Sequence, residues 1–302
     1  MMNSVITATR PDSITKTMKA YVALTKPRII ELLLITTVPA MVVANQGIPS
    51  LLKIVYTVLG GTLAAGGANA VNMWFDRDID AMMKRTQQRP LVTGEISPLA
   101  AIIFAIGLEA ISFLMLWSSV NLLSAILALS AALFYVFIYT MWLKRSSSSN
   151  IVVGGAAGAV PVLVGWAAVT DRLDLAPVLM FAIIFLWTPP HFWALAFRYK
   201  EDYAKANVPM LPAVATFRKT ANQILVYSVL LTVVSLLLGP VAHLGVIYES
   251  SALLLGIGFI YYAIKLRRSE SPKVAMRVFS YSISYLTLLF VAMGVDVVVR
   301  HP

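Results

Sequence analysis

Residues 98–143 read PLAAIIFAIGLEAISFLMLWSSVNLLSAILALSAALFYVFIYTMWL, and this stretch decides the fold class. Its only charged side chain is Glu109, and Asn121 divides it into two apolar runs. Each run is long enough to cross a bilayer as a helix, which takes about 20 apolar residues. A membrane-spanning β-strand would alternate apolar and polar residues, and these runs do not. The stretch therefore predicts two membrane-spanning helices joined by a tight turn at Asn121.

The composition extends this prediction to the whole chain. Of its 302 residues, 59% are hydrophobic and 13% are charged, whereas a soluble domain carries about 25% charged residues. Cysteine is absent, which excludes disulfides. Residues 1–28 are polar and basic without an apolar run, so we expect a cytoplasmic anchor and no secretory signal. The chain is predicted to be an all-α, polytopic membrane protein.

Apolar runs recur along the chain, and each run predicts one membrane span. The nine predicted spans cover residues 29–46, 52–74, 98–118, 121–142, 151–170, 176–197, 221–242, 245–265 and 278–299. We expect a single membrane-embedded domain over residues 1–302, built as a bundle of nine transmembrane helices. Residues 1–20 are expected to form a flexible cytoplasmic tail.

The basic residues predict the orientation in the membrane. If the N-terminus is cytoplasmic, 21 of the 24 lysines and arginines fall on the cytoplasmic side, and only Lys53, Arg172 and Arg300 fall on the other. Cytoplasmic loops of membrane proteins carry such an excess. We therefore expect a multi-pass protein of the inner (plasma) membrane with its C-terminus on the opposite side. This bias explains the net charge of +10, so nucleic-acid binding is not indicated.

The strongest local motif is Asn72-Met-Trp-Phe-Asp-Arg-Asp-Ile-Asp80, at the inner end of the second span. Asn72, Asp76 and Asp80 are four residues apart, so they follow one helix face over about 12 Å. Carboxylates on a membrane helix are costly and usually functional. Closely spaced carboxylates also suit Mg²⁺, which often binds through them together with substrate phosphates.

Basic residues follow the carboxylate motif directly. Lys84 continues the same helix face, and Arg85 and Arg89 come next in the chain. Such side chains bind phosphate oxygens through charge-assisted hydrogen bonds. The motif therefore predicts a metal–diphosphate site at the cytoplasmic face. The alternative is a solvated helix end with ordinary surface charges, but Asn72 extends the pattern one turn into the apolar span.

The motif resembles the hallmark of the UbiA-type intramembrane prenyltransferases, which are nine-helix bundles that bind prenyl diphosphates through Mg²⁺. Other segments resemble one branch of that family, the protohaem IX farnesyltransferases or haem O synthases. They are LTKPRIIEL (24–32), RTQQRPL (85–91), NIVVGGAAGA (150–159), WTPPHFWAL (187–195) and VPMLP (208–212). The 187–195 segment is more specific than the Asp motif, and the resemblance covers about residues 20–215.

The resemblance implies a set of site residues. Asn72, Asp76 and Asp80 are expected to be catalytic and, with Asp202, to bind Mg²⁺, with Mn²⁺ as the alternative metal. The family's second Asp-x-x-x-Asp motif is incomplete, because Ala206 stands where its second Asp is expected. Glu201 is adjacent to the motif. The second metal site is therefore expected to be held differently or more weakly.

The same resemblance and the topology select the substrate contacts. The residues expected to bind substrate are Arg28, Lys84, Arg85, Arg89, Lys144, Arg145, Lys205, His191 and Tyr199. The implied substrates are farnesyl diphosphate and protohaem IX, within membrane lipid. Terminal-oxidase assembly proteins are implied partners. For each basic residue the simpler explanation is membrane orientation.

The implied reaction is transfer of a farnesyl group to a haem vinyl group. Loss of diphosphate would leave an allylic cation in a cavity that excludes bulk water, and a haem vinyl group would attack it before water adds. The aromatic rings expected to stabilise the cation are those of Phe75, Tyr135, Tyr139 and Tyr199. For each of them, core packing is the simpler explanation.

Four further polar residues lie in or beside the apolar spans. His191 follows Pro189-Pro190, which are expected to break the helix, so its imidazole is predicted either to contact haem or to be an ordinary hydrogen-bonded buried histidine. Glu109 is expected to hydrogen-bond between helices and Asp296 to be exposed at the outer interface. The role of Glu31 is left open.

Three other functions would share some of these features. A quinone-precursor or chlorophyll-type prenyltransferase would share the Asp motif but not the 187–195 segment. A transporter would place its acids at the membrane midplane. A non-enzymatic haem-handling factor would keep His191 but would not need the Asp motif.

Overall fold

The computed structural model describes residues 11–300, with side chains at 14–27 and 35–300. Over this range the chain is helical and contains no strand. The elements are α1 (Pro11–Thr25), α2 (Pro27–Asn45), α3 (Leu51–Phe75), α4 (Arg77–Met82), α5 (Pro98–Ser119), α6 (Leu122–Leu133), a π-helical segment (Phe134–Leu143), α7 (Lys144–Ser146), α8 (Asn150–Thr170), α9 (Leu175–Ala196), α10 (Lys200–Lys205), α11 (Leu211–Val214), α12 (Phe217–Val241), α13 (Val246–Ser269) and α14 (Pro272–Arg300).

The membrane spans follow the prediction. In the part of the chain that the structure describes, eight helices are long and apolar enough to cross a membrane, and one of them is the continuous run Leu122–Ser146. Helix α2 covers the remaining one of the nine predicted spans, and its described stretch Ile35–Asn45 is a shorter apolar helix. The predicted bundle of nine helices is consistent with this count, and the chain is a multi-pass membrane protein.

Two helices begin earlier than predicted. Helix α12 begins at Phe217 instead of 221, and α14 begins at Pro272 instead of 278. Both extensions are basic, with Arg218 and Lys219 in one and Lys273 and Arg277 in the other. Hydropathy locates the edge of the hydrocarbon, whereas the backbone hydrogen bonds of a helix continue beyond it.

Side chains fix several helix starts. Ser50, Ser97, Asn121 and Thr216 each accept a hydrogen bond from a backbone N–H three residues later, at 2.8–3.4 Å. Such caps satisfy N–H groups that have no partner within the helix and contribute about 1 kcal/mol each. The predicted turn at Asn121 therefore owes its sharpness to a cap that starts α6.

The helices pack into one bundle with α8 and α9 near its centre. Helix α8 contacts α2, α3, α6 and α9, and α9 in turn contacts α12 and α14. The indole Nε1 of Trp187 donates to the backbone oxygen of Ser282 at 2.7 Å, which joins α9 to α14. Helices α2, α3, α6, α8 and α9 surround a cavity that opens among them.

The predicted break at Pro189-Pro190 is wrong. Helix α9 runs unbroken from Leu175 to Ala196 with both prolines inside it. Proline removes backbone hydrogen bonds from a helix, but membrane helices tolerate this where neighbouring helices and hydroxyl side chains surround them. Both prolines are buried, and the Thr188 hydroxyl donates to the Ile184 carbonyl at 2.8 Å.

Residues 11–20 belong to α1, in which Ala20 and Leu24 are buried in a core with Ala70 and Met73. Residues 1–10 lie outside the described range, so the flexible tail stays a prediction. The expectation for Asp296 needs correction. Asp296 is 1% exposed and not at an open interface. Its carboxylate accepts the backbone N–H groups of Gly245, at 2.5 Å, and Tyr248, at 3.3 Å, and so caps α13.

Glu109 lies on α5 against α3. A Cβ at Gly67 would be 2.7 Å from its Oε1, so the absent side chain makes room for the carboxyl. That oxygen is buried and has no hydrogen-bond partner among the described residues. The expected interhelical hydrogen bond is therefore not made at Oε1, but the carboxyl group is hydrogen-bonded to the backbone of Ala68 on α3. Glu31 lies outside the residues whose side chains are described.

Glycine allows α8 to approach α2 closely. A Cβ at Gly165 would lie 2.7 Å from the backbone oxygen of Thr37, a contact that a flexible side chain cannot relieve. Small residues let membrane helices approach each other in this way.

Replacing Gly165 with alanine should therefore push α2 away from α8. We expect Gly165→Ala to lower the free energy of unfolding by about 1–3 kcal/mol through overpacking. Thermal unfolding of the detergent-purified protein measures this. Gly107→Ala is the matched control, because a Cβ there meets nothing within 4 Å. Equal melting temperatures for the two variants would contradict the prediction.

Candidate functional site

A cavity of about 380 Å³ lies between α2, α3, α6, the π-helical segment, α8 and α9. One end of the cavity is polar, and its walls deeper in the bundle are mostly small and apolar. The polar end is lined by Lys26, Asn72, Asp80, Arg85, Arg89 and Lys144. The cavity therefore joins a charged mouth to an apolar interior.

Two residues of the predicted carboxylate face, Asn72 and Asp80, line this polar end, whereas Asp76 lies behind the lining. Asn72, Asp76 and Asp80 are 2%, 0% and 2% exposed. Helix α3 ends at Phe75 and α4 begins at Arg77, yet the backbone hydrogen bond from Asp80 N to Asp76 O, at 2.8 Å, continues the helical spacing between them. The four-residue spacing of the motif therefore stays in helical register across the junction of α3 and α4.

The Asn72 carboxamide is held from both sides. Lys26 Nζ donates to its Oδ1 at 2.6 Å, and the Asp76 carboxylate on the other side, which only accepts, fixes the orientation of the amide. The amide Nδ2 then donates to Asp76 Oδ2 at 2.8 Å and to Thr140 Oγ1 at 3.0 Å. Thr140 lies on the π-helical segment and is fully buried. Irregular helix of this kind is frequent at functional sites.

Basic residues from α7 pair with the carboxylates at the end of α3. Lys144 Nζ donates to Asp76 Oδ2, and Arg145 approaches Asp76 Oδ1 at 3.5 Å. Arg145 also forms a two-bond pair with Asp78, at 2.7 and 2.8 Å. This hydrogen bonding lowers the pKa of the Asp78 carboxyl to about 2. Asp78 points away from the cavity and is 59% exposed, so its pair is a surface interaction.

The loop after α4 folds back over Asp80. Arg89 donates to Asp80 Oδ2 at 2.6 Å, and the Thr86 hydroxyl donates to the Asp80 backbone oxygen at 2.8 Å. Arg85 donates to the Tyr203 hydroxyl at 3.2 Å. The loop 83–97 thereby brings two guanidinium groups to the cavity mouth, as its sequence predicted.

Lys26 is a site residue that the sequence analysis missed. It joins α1 to α2 in the left-handed conformation, with φ of 53°. This turn points its side chain into the cavity mouth. Burial, together with the positive charges of Arg89 and Lys144, lowers the pKa of Lys26 to about 7. The Lys26-Pro27 junction was available in the sequence as a helix-start signal, but such a signal does not tell where the side chain points.

The structure separates the predicted substrate contacts into three groups. Arg85, Arg89 and Lys144 line the cavity, and Arg145 adjoins it through Asp76. Those outside the cavity lining are Lys84, Lys205, Tyr199 and His191. The Arg28 side chain lies outside the described residues.

Two of the predicted aromatic residues line the cavity. Tyr135 and Tyr139 stack with ring centroids 5.3 Å apart. Phe75 lies beneath the Arg145 guanidinium, 4.7 Å from its ring centroid, and Tyr199 lies beneath Arg85 at 5.6 Å. Neither of these two rings is part of the cavity lining.

His191 packs against α14 and is not part of the cavity lining. Its Nδ1 is hydrogen-bonded to the Ser282 hydroxyl at 2.7 Å. The imidazole lies between the rings of Trp187 and Phe279, with centroids at 4.2 and 4.6 Å. Its neighbours Trp187 and Phe192 do line the cavity. Contact of His191 with haem stays a prediction.

The donor chemistry at the cavity mouth fits a hard divalent cation. Asn72, Asp76 and Asp80 offer buried carboxylate and amide oxygens, which Mg²⁺ prefers. The fourth predicted ligand, Asp202, is half-buried on α10 and is not part of the cavity lining. Among the described residues, no three acidic or histidine side chains are grouped closely enough to hold a metal by themselves. The structure therefore does not bring the four predicted ligands together.

The two aspartates should differ in their effect on stability. Asp76→Asn leaves the partly buried Lys144 without its carboxylate, and breaking such a pair costs about 3–5 kcal/mol. Asp78→Asn breaks a surface pair worth at most about 1 kcal/mol. Thermal unfolding of the two purified variants compares them. A melting temperature lowered equally in both would contradict the assignment of Asp76 as the buried partner.

Comparison with known proteins gives the same fold and a family. The pattern of the UbiA prenyltransferase family matches residues 33–291. A protoheme IX farnesyltransferase of Streptomyces avermitilis is 53% identical over 288 residues, covering 93% of this chain and 94% of that one. The protein of that name from Clavibacter michiganensis is 53% identical over 285 residues, covering 92% of each chain.

Solved structures of low sequence identity share the fold. A digeranylgeranylglyceryl phosphate synthase has a TM-score of 0.79 at 20% identity, covering 93% of this chain and 99% of that one. A UbiA homologue from Archaeoglobus fulgidus, bound to GPP and Mg²⁺, has a TM-score of 0.64 at 18% identity, covering 91% of this chain and 99% of that one. Together with the match over residues 33–291, these similarities show that the chain belongs to the UbiA prenyltransferase family.

Proposed function

We propose that this chain transfers a farnesyl group from farnesyl diphosphate to a vinyl group of protohaem IX, giving haem O. The observation that carries the proposal is the cavity itself, because one continuous space joins a cationic mouth to an apolar interior. A prenyl diphosphate has the same division into a charged head and an apolar chain. The acceptor is proposed from the relatives of about 53% identity that bear the name protoheme IX farnesyltransferase.

The charge at the mouth favours a multiply charged anion. Lys26, Arg85, Arg89 and Lys144 all line the cavity, whereas Asp80 is the only carboxylate of the α3–α4 motif that does. Arginine and lysine groups placed near buried surface bind phosphate oxygens through short, charge-assisted hydrogen bonds. The diphosphate is proposed to bind here, where the crowding of positive charges is relieved by an anion.

A divalent cation, Mg²⁺ with Mn²⁺ as the alternative, is proposed to bind at Asn72, Asp76 and Asp80, with Asp202 as a further ligand. When bound, it would supply Lewis-acid stabilisation of the charge that develops on the departing diphosphate. Arg85 and Arg89 hold the same oxygens from the loop side. Preorganised donors of this kind are among the largest contributions to catalysis.

The inner cavity is proposed to hold the farnesyl chain and the reacting carbon. Tyr135 and Tyr139 present their stacked rings to this space, and a ring face attracts a cation. About half of the remaining lining residues are alanine, glycine and valine, whose side chains offer water no hydrogen bonds, and four threonines and Asn69 add isolated polar groups. An allylic cation formed there would be shielded from premature attack by solvent. The acceptor would add through its vinyl carbon before water completes the hydroxyethylfarnesyl group.

The proposal also includes the domain, the membrane and the side of the membrane on which the reaction takes place. We infer one prenyltransferase domain over residues 1–302 in the inner membrane, with the cavity mouth on the cytoplasmic side. The excess of lysine and arginine on that side supports the orientation. His191 would contact haem through Nε2, since its Nδ1 is bonded to Ser282. Transfer of the product to terminal-oxidase assembly proteins is part of the proposal through the family resemblance alone.

The product assay tests the proposal directly. Membranes that contain the protein are incubated with protohaem, farnesyl diphosphate and Mg²⁺, and the extracted haems are analysed by mass spectrometry. We expect a haem heavier by a farnesyl group plus water, which disappears with Asp76→Asn or with a chelator. Asp78→Asn is the matched control and should retain activity, because Asp78 points away from the cavity. Farnesyl transfer to an aromatic acceptor, without any haem product, would reject the proposed acceptor.

Thr140 should act by positioning Asn72. In Thr140→Val, Asn72 Nδ2 loses one of its two acceptors, so the amide proposed to bind the metal is held less firmly, by Lys26 and Asp76 alone. A hydrogen bond of about 1 kcal/mol corresponds to a roughly fivefold effect, so we expect the Mg²⁺ concentration for half-maximal activity to rise about fivefold. Thr140→Ser, which retains the hydroxyl, should restore it. A parallel loss in both variants would mean that Thr140 only fills space.

A further inference from the structure

One face of α3 forms a wall of the cavity from its mouth to its depth. Asn72 lies at the mouth, and Ala68, Ala65 and Gly61 line the cavity below it. Gly61 is eleven residues before Asn72, which is about three helical turns, so both point the same way. At a rise of 1.5 Å per residue they are about 16 Å apart along the axis. That depth suits the three isoprene units of a farnesyl chain.

Gly61 differs from the neighbouring glycines of α3. A Cβ at Gly60 would lie 2.5 Å from Leu116, and one at Gly67 would lie 2.9 Å from a backbone oxygen of α5, so both serve helix packing. A Cβ at Gly61 meets nothing within 4 Å, and Gly61 lines the cavity. The missing side chain at this position therefore enlarges the cavity and does not bring two helices together. On α8, Gly158 has the same two properties.

We propose that Gly61 sets the length of prenyl chain that the cavity accepts, by leaving open the space that the third isoprene unit occupies. The inference rests on the proposed function, because it takes the prenyl diphosphate to bind with its head at the mouth. Below Gly61 the α3 wall continues with Val58 and Thr57, which bear larger side chains. A side chain at Gly61 would thus close the cavity about 16 Å from Asn72.

The first experiment measures donor choice. Wild type and Gly61→Leu are given geranyl and farnesyl diphosphate in competition, with protohaem and Mg²⁺, and the two haem products are weighed. Filling a hydrophobic pocket by a few methylenes discriminates by tenfold or more. We expect the farnesyl-to-geranyl product ratio to fall at least about tenfold in Gly61→Leu. Ala65→Leu, one turn nearer the mouth, should lower farnesyl transfer further and begin to affect geranyl transfer.

Gly107→Leu is the matched control. A Cβ at Gly107 also meets nothing within 4 Å, but Gly107 lies on α5 and is not part of the cavity lining. Its product ratio should equal that of wild type, because only the location of the added side chain differs. An unchanged ratio in Gly61→Leu, or an equal loss with both donors, would overturn the proposal.

A binding measurement separates this inference from the proposed acceptor. The melting temperature of the detergent-purified, full-length protein is measured with Mg²⁺ and each diphosphate, since a ligand raises it by binding the native state. In Gly61→Leu, geranyl diphosphate should stabilise as it does in wild type, whereas farnesyl diphosphate should lose most of its effect. If wild type makes no haem product, the proposed function fails while this result still decides the role of Gly61. Equal stabilisation of Gly61→Leu by both diphosphates would overturn the inference.

Discussion

The rest of the site depends on keeping two buried carboxylates charged at the edge of a membrane. Asp76 and Asp80 are almost inaccessible to water, and burying an unpaired carboxylate costs several kcal/mol. Each is therefore paired with a cation from elsewhere in the chain, Asp76 with Lys144 at the start of α7 and Asp80 with Arg89 in the following loop. Pairing the acids in this way brings to the cavity mouth the same basic groups that a diphosphate requires. Lys144 and Arg89, which balance the charge of the motif, are thus also among the residues that are proposed to bind the diphosphate.

The π-helical segment connects this charged mouth to the apolar cavity. It places the Tyr135 and Tyr139 rings along the cavity and Thr140 against the Asn72 amide. A regular helix repeats every 3.6 residues, so these residues would be spread differently around its axis. The segment ends at Leu143, directly before Lys144, the partner of Asp76. In the proposed function, this irregular helix faces both the diphosphate of the donor and the carbon that is bonded to it.

Much of the fold and part of the site could be predicted from the sequence, because the length of an apolar run and a spacing of four residues are local properties. The nine spans and the common face of Asn72, Asp76 and Asp80 follow from such patterns. Lys26 was missed because its position depends on a left-handed turn between two helices. The prediction for Asp296 was wrong because its carboxylate oxygens accept backbone N–H groups at the start of α13. That helix begins at Val246, far away in the sequence. Pro189-Pro190 were expected to break a helix that its neighbours in fact support on several sides.

Selectivity for the apolar chain must have a different origin from recognition of its charged head. A diphosphate can be recognised by ionic hydrogen bonds, whose number and direction depend on the donors, and Arg89 is one of the donors proposed here. A prenyl chain offers no such bonds, and every additional methylene gains about 0.8 kcal/mol from burial wherever space exists. Chain length can therefore be limited only by where the space ends. In a wall of small residues, the one whose missing side chain opens onto the cavity has more influence than those that pack helices together. Gly61 holds that position on α3, at the depth where a third isoprene unit would lie.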